Sequence, residues 1–398
     1  MWDRMFERIV RDVFRDGTLD VTLPSGRRFT AGSGSPKMTV RITDPTLPRR
    51  IVANPDLGLG EGYMDGGIEI EGDDLRGFLD MMFHNLGTGN RTWILDLHNR
   101  MGRRLRRMSQ WNPMSRARSN VAHHYDLSAE LYDIFLDADR QYSCAYFRHE
   151  DDSLEQAQSD KKTHIAAKLL IEPGMEILDI GCGWGGMALT LARDFGAKVT
   201  GVTLSREQHA IAERRAREAG LEDRVEFLLS DYRAIDRTFD RIVSVGMFEH
   251  VGQPHYDEYF AKVHDMLRPD GVALIHTIGR TDAPGATSPF IAKYIFPGGY
   301  VPALSEMSAA FERQGLGSTD IEVWRMHYAK TLRHWEERFS AGIEKARALY
   351  DDRFCRMWRY YLVASELSFV HGHQVVFQAQ LAHRKTAVPI TRDYLYRN

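Results

Sequence analysis

The chain has 398 residues, enough for one large or two ordinary domains with ample core. It is 43% hydrophobic and 27% charged, as globular proteins are, and a formal net charge of -3 excludes a polycation built for nucleic acid. Only Cys144, Cys182 and Cys355 are present, too few for a disulfide framework and without a Cys-x-x-Cys zinc pair.

The opening segment, MWDRMFERIVRDVF, lacks the apolar core of a secretory signal, and no run is long and apolar enough to span a bilayer. A reducing cytoplasm is the expected setting, with any membrane contact peripheral. In that segment Trp2, Met5, Phe6, Ile9, Val13 and Phe14 recur at helical spacing, and Arg4, Glu7, Arg8, Arg11 and Arg15 form the other face. Short alternating runs follow at 19–23, 38–42 and 68–70, separated by Pro24-Ser25-Gly26 and Asp65-Gly66-Gly67. Residues 1–98 therefore read as a small α+β domain, suited equally to plain packing and to lipid contact.

Residues 99–120 form a basic connector with Arg100, Arg103, Arg104, Arg106, Arg107, Arg116 and Arg118 and no acid. An anionic lipid surface would attract such a cluster by roughly 1 kcal/mol per basic residue. A solvated linker or an internal acidic partner accounts for the charges as well. Trp111 is the one aromatic interleaved with them, which makes a base-stacking surface a weak reading.

Residues 121–398 alternate strand and helix patterns. Strands are expected at 176–180, 198–202, 225–229, 241–245 and 272–278, and helices at 184–195, 206–219 and 255–267. This rhythm predicts a parallel sheet with helices on both faces. After the first strand comes Ile177-Leu178-Asp179-Ile180-Gly181-Cys182-Gly183-Trp184-Gly185-Gly186. Glycines let a backbone approach a ligand, and ligands of open α/β sheets bind beyond the carboxyl ends of the strands. The D-x-G-x-G-x-G spacing differs from the dinucleotide fingerprint. It resembles the first motif of methyltransferases that use S-adenosylmethionine (AdoMet). That resemblance implies a Rossmann-like AdoMet-dependent methyltransferase fold, here with the smaller N-terminal α+β domain.

Within that fold the implied cofactor contacts are Tyr142, Ser143, Asp179, Gly181, Gly183, Trp184, Thr203, Leu204, Gln208, Asp231 and Tyr232. The second strand ends in Gly201-Val202-Thr203-Leu204-Ser205, without the acid that NAD enzymes place there. Thr203 and Gln208 can still bond sugar hydroxyls, while Ser205 reads as a helix cap. Asp231 and Tyr232 offer a carboxylate and an aromatic face to adenine.

Further segments carry a more specific resemblance. They are Gln141-Tyr142-Ser143-Cys144-Ala145-Tyr146-Phe147, Gly246-Met247-Phe248-Glu249-His250-Val251-Gly252 and Leu274-Ile275-His276-Thr277-Ile278-Gly279. His124-Tyr125-Asp126-Leu127-Ser128 lies upstream, and Tyr294-Ile295-Phe296-Pro297-Gly298-Gly299 downstream. Together they resemble the cyclopropane-fatty-acyl-phospholipid synthases and the related mycolic acid cyclopropane synthases. Asn54-Pro55-Asp56-Leu57-Gly58-Leu59-Gly60-Glu61-Gly62-Tyr63 resembles the extra N-terminal domain of the phospholipid-acting members, which the mycolic type lacks.

The resemblance implies methylene transfer from AdoMet across a cis double bond of an unsaturated phospholipid in a membrane bilayer. It implies a bicarbonate ion as general base, with Cys144, Glu249, His276, Tyr328 and the backbone of Ile278 as its shell. Glu249 acting directly as base is the simpler alternative. A carbocation needs an apolar, shielded site with aromatic faces, for which Tyr142, Tyr146, Phe147 and Phe248 are candidates. One departure is Ser365, in Tyr361-Leu362-Val363-Ala364-Ser365, where the family often has cysteine. It leaves open a C-methyltransferase giving methyl- or methylene-branched acyl chains. A non-catalytic lipid-binding protein is the third reading. The expected setting is the cytoplasmic, anionic inner face of the membrane, contacted peripherally, with a possible homodimer and no nucleic-acid partner.

Overall fold

The computed structural model describes residues 1–89 and 127–396. They divide into two compact units, one of residues 1–89, 285–296 and 329–373, the other of 127–284, 297–328 and 374–396. The basic connector 99–120 and residues 124–126 lie outside the described residues.

In the first unit α1 (Trp2–Val13) buries Phe6, Ile9 and Val13 of the expected stripe together with Val10, while Trp2 at the helix start is exposed. Strands β1 (Asp16–Thr22), β2 (Arg28–Ile42) and β3 (Ile68–Ile70) form an antiparallel sheet in that order. Helices α2 (Leu47–Ala53), α3 (Pro55–Met64) and α4 (Leu75–Gly87) complete the N-terminal part.

Helix α3 forms despite Gly58, Gly60 and Gly62. Pro55 opens it, and the Asn54 side chain accepts from Leu57 N at 3.3 Å. Its glycines answer to close packing. A Cβ at Gly60 would sit 2.3 Å from the Phe290 ring, and one at Gly58 2.8 Å from the Arg50 backbone. The same packing recruits α10 (Pro289–Tyr294). Asp56, on α3, accepts from Ser288 Oγ at 2.7 Å and Phe290 N at 3.0 Å, and Glu61 accepts from Lys293 and Tyr294.

This unit also holds most of α12 (His327–Ala341), with α13 (Ile343–Leu349) and α14 (Asp352–Val370). Arg76 bridges Glu336 and Glu366, and Arg359 pairs with Asp73. The division therefore differs from a simple cut into 1–98, 99–120 and 121–398. Contacts between residues more than two hundred positions apart draw two later segments into the first unit, which local patterns cannot show.

The second unit begins with α5 (Ala129–Phe135) and α6 (Leu154–Leu169). Then come β4 (Glu176–Ile180), α7 (Gly186–Phe195), β5 (Lys198–Thr203), α8 (Arg206–Glu218), β6 (Val225–Leu229), β7 (Phe239–Val245), α9 (Tyr256–Met266), β8 (Leu267–Arg280), α11 (Leu304–Arg313), β9 (Gly317–Trp324) and β10 (Gln374–Ala382). The sheet order is β6-β5-β4-β7-β8-β10-β9. Strands β4 to β8 pair in parallel, as expected, and β10 runs antiparallel to both β8 and β9. Strand β10 has a polar burial signature, since Gln378 and Gln380 are fully buried, and this hid it from periodicity.

Pleating sends neighbouring residues to opposite faces. Ile177 packs with Ile165, Leu169 and Leu191, and Leu178 packs in the other core with Phe260 and Phe311. Helix α7 starts at Gly186, two residues later than its apolar pattern suggests. Gly181, Gly183 and Gly185 hold φ of 82°, 55° and 84°, so the backbone is still turning there.

Candidate active site

One cavity opens at the carboxyl ends of β4, β5, β6 and β7. All eleven residues expected to contact a cofactor line it: Tyr142, Ser143, Asp179, Gly181, Gly183, Trp184, Thr203, Leu204, Gln208, Asp231 and Tyr232. The turn after β4 supplies its floor. A Cβ at Gly186 would lie 2.4 Å from Gln141 Nε2 and 2.5 Å from Asp139 Oδ2, so any larger residue requires these side chains of the 139–143 wall to shift.

Asp179, the penultimate residue of β4, has its Oδ2 buried and without a hydrogen bond among the described residues. Burial pushes its carboxyl up to about 7. The Trp184 indole N–H is likewise buried and unpartnered. Thr203 Oγ1 lies 2.9 Å from Gln208 Oε1, and Ser205 caps α8 by accepting from Gln208 N at 3.2 Å. These bonds fix the Gln208 side chain at the end of β5, where a sugar hydroxyl would be met. Asp231 is held by Arg233, with Nε at 2.9 Å from Oδ1 and Nη2 at 2.7 Å from Oδ2. Tyr232 presents its ring to the cavity beside that ion pair.

Behind this cavity lies a second cluster. Glu249 sits in the turn after β7 whose residues Gly246, Met247, His250 and Val251 line the cavity. Its Oε1 accepts the Ile278 N–H at 2.7 Å, while Oε2 is buried and makes no hydrogen bond among the described residues. The Ile278 N–H is thus engaged by Glu249. Burial drives the Glu249 carboxyl up to about 7, against the pull of the Ile278 N–H and, more weakly, of Thr277. His276 lies two residues before Ile278 on β8, hence on the same face. It is 2% exposed, and burial holds its pKa well below the ordinary value, with Lys161 and Lys168 acting in the same direction. Its Nδ1 lies 2.9 Å from Gln378 Nε2, the residue opposite it on β10.

Cys144 is fully buried, next to the cavity-lining Ser143. That setting suits a small apolar group rather than an exposed thiolate. Tyr328 is buried at the second position of α12. Among the aromatic candidates, Tyr142 lines the cavity. Phe248 is core, stacked on Tyr256 at 4.3 Å, and Tyr146 stacks on His164 at 4.4 Å. Sequence reading missed Gln378 and Lys161. Glutamine and lysine in apolar or charged contexts carry no motif, and only burial exposes them.

A sheet of this order, with a glycine turn after β4 and a cavity over four parallel strand ends, defines an AdoMet-dependent methyltransferase. A family model described as mycolic acid cyclopropane synthetase matches residues 113–379, and one described as a domain of unknown function matches 4–88. The chain belongs to the mycolic acid cyclopropane synthetase family. It is 40% identical to the Escherichia coli cyclopropane-fatty-acyl-phospholipid synthase over 88% of this chain and 90% of that protein. It is 35% identical to the Mycobacterium tuberculosis tuberculostearic acid methyltransferase UfaA1 over 93% of this chain and 86% of that protein. Among solved structures, the M. tuberculosis cyclopropane synthase MmaA2 covers 68% of this chain and 99% of its own, with a TM-score of 0.65 and 34% identity. The mycolic acid cyclopropane synthase CmaA1 complexed with SAH and CTAB gives a TM-score of 0.64 at 33% identity, over 68% of this chain and 99% of its own. No helix among the described residues is long and apolar enough to cross a membrane.

Proposed function

We propose that the protein adds a methylene from AdoMet across the cis double bond of unsaturated phospholipid acyl chains, making cyclopropane fatty acids. The observation that carries this reading is Glu249: a buried carboxylate with one oxygen fixed by Ile278 and the other unpaired, in the turn that lines the cofactor cavity. The long match to the phospholipid synthase, reaching into the N-terminal domain, favours phospholipid over mycolic acid.

The residues fit AdoMet. Asp179 Oδ2 suits its ammonium, Gln208 its ribose, and Tyr232 its adenine. When bound, AdoMet supplies a sulfonium methyl for the alkene, and the resulting cation closes to a ring on losing a proton. The unpaired Glu249 Oε2 and the neutral His276 also fit a bicarbonate ion, which would supply the acceptor for that proton. Ionised Glu249 can take the hydrogen bond of a bicarbonate hydroxyl, and His276 and Tyr328 can donate to the anion. Enclosure of all these groups excludes water from a cation it would quench.

A second reading is methyl transfer that ends in a branched chain. Ser365 and the tuberculostearic acid methyltransferase relative favour it. Purified protein, AdoMet and vesicles of unsaturated phospholipid separate the readings by mass analysis of the acyl chains before and after hydrogenation. A chain gaining one methylene and resisting reduction establishes the ring. A methylated, reducible chain establishes branching, and no product despite AdoMet binding restores the lipid-binding reading. Peripheral attachment to an anionic membrane through the 99–120 arginines belongs to the same proposal. Co-sedimentation with anionic vesicles should weaken as salt rises, and equal binding to neutral vesicles would sink the electrostatic part.

A further inference from the structure

One face of α6 closes the cavity wall that carries Gln141, Tyr142 and Ser143. Gln158 and Lys161 stand three residues apart and so share that face. Gln158 Nε2 donates to the carbonyls of Gln141, at 3.1 Å, and Ser143, at 2.9 Å. Lys161 Nζ donates to Gln141 Oε1 at 2.8 Å and Ser143 Oγ at 2.7 Å. Gln141 Nε2 donates to Asp139 Oδ2 at 3.0 Å, which fixes the amide and leaves Oε1 for the lysine.

Lys161 is 0% exposed. An enclosed ammonium is costly unless its surroundings compensate it, and both of its hydrogen-bond acceptors here are neutral. The charged and titratable groups facing it are Asp137, Asp139, Cys144, Lys162, Asp179 on β4 and His276 on β8. Of these, Asp179 lines the cavity with an unpaired oxygen. Lys161 itself is not in the lining and acts through Gln141 and Ser143, which are.

We propose that Lys161 is a positioning residue for the amino-acid end of bound AdoMet, its ammonium holding Gln141 and Ser143 against the ligand and balancing Asp179. The inference rests on the reading of the cavity as the AdoMet site. It carries a proton linkage. Burial pushes the Lys161 ammonium down to about 7, so near pH 8 the empty protein holds mostly the neutral amine, and a ligand carboxylate brought against Gln141 and Ser143 would draw the proton back, so that binding takes up a proton. Asp179, raised to about 7, is by then mostly ionised and contributes little.

The test is calorimetry with S-adenosylhomocysteine at about pH 8 in buffers of different ionisation enthalpy, beside steady-state kinetics on vesicles. The wild type should take up most of one proton. Lys161→Met should lose that uptake and bind about tenfold more weakly, with kcat at saturating AdoMet within about threefold and KM for lipid unchanged. A folded Lys161→Met that binds within about twofold of wild type overturns the proposal. If that variant does not fold, Lys161→Gln is read the same way, and absence of proton uptake by the wild type overturns it without any variant. A wild type that fails to bind S-adenosylhomocysteine would instead remove the AdoMet reading beneath it.

Discussion

Glu249 and Ile278 are joined by a 2.7 Å hydrogen bond from the Ile278 N–H to Oε1, which leaves the buried Oε2 as the carboxylate's one unsatisfied atom. The bond ties the turn after β7 to the end of β8. It fixes where the second oxygen lies, and it offsets only part of what burying the carboxylate costs in stability.

That cost has a pH signature. The Glu249 carboxyl is raised from 4.5 to about 7 in the folded chain, so the folded state holds its proton more tightly than the unfolded one. Stability is therefore lost as pH rises from about 4.5 to about 7, by about 3 kcal/mol in all. Glu249→Gln should raise the melting temperature at pH 8 and leave it unchanged near pH 4.5, while abolishing ring formation. Thermal scans at the two pH values check this; a variant less stable at pH 8 would contradict it.

Activity should rise with pH through about 7 as Glu249 ionises. His276 stays neutral over the whole range, because burial holds its pKa well below the ordinary value, so it should contribute no second limb. The profile of kcat at saturating AdoMet and lipid reads this. A limb near 6.5 that disappears in a His276 variant would show the histidine titrating in turnover.

Gln378→Leu removes the partner of His276 Nδ1, 2.9 Å away. Loss of one buried hydrogen bond should cost about 1 kcal/mol of stability and, by freeing the ring, roughly tenfold or more in kcat. AdoMet affinity should not move, because Gln378 lies on β10, away from the cavity lining. Equilibrium binding beside turnover separates the two effects.

Gly186→Ala places a methyl 2.4 Å from Gln141 Nε2 and 2.5 Å from Asp139 Oδ2. The wall must retreat, so AdoMet affinity should fall by about tenfold or more with a modest stability loss. Binding at wild-type strength would mean that the 139–143 segment yields easily.

In the N-terminal unit Arg76 serves two buried carboxylates, Glu336 and Glu366. Arg76→Met should destabilise by about 2 kcal/mol, the loss limited by Arg333 on Glu366 and Arg359 on Glu336. Denaturant unfolding measures it.

By itself the sequence determined the local events: the amphipathic α1, the strand-to-helix rhythm from β4 to β8, the glycine turn and the Ser205 cap. Each depends on neighbours within a few residues, and nine of the eleven expected cofactor contacts lie at or just after the ends of β4, β5 or β6, so the parallel strands bring them to one cavity, whereas Tyr142 and Ser143 reach it from the segment before α6. The tertiary structure alone decided the rest. It paired β10 antiparallel to β8 and so placed Gln378 opposite His276, drew 285–296 and 329–373 onto the N-terminal helices, and enclosed Lys161 behind Gln141 and Ser143. Those outcomes depend on burial and on pairings between residues far apart in the chain. The same glutamine or lysine would be an ordinary solvated side chain on an exposed surface, and only packing turns it into a partner of the site.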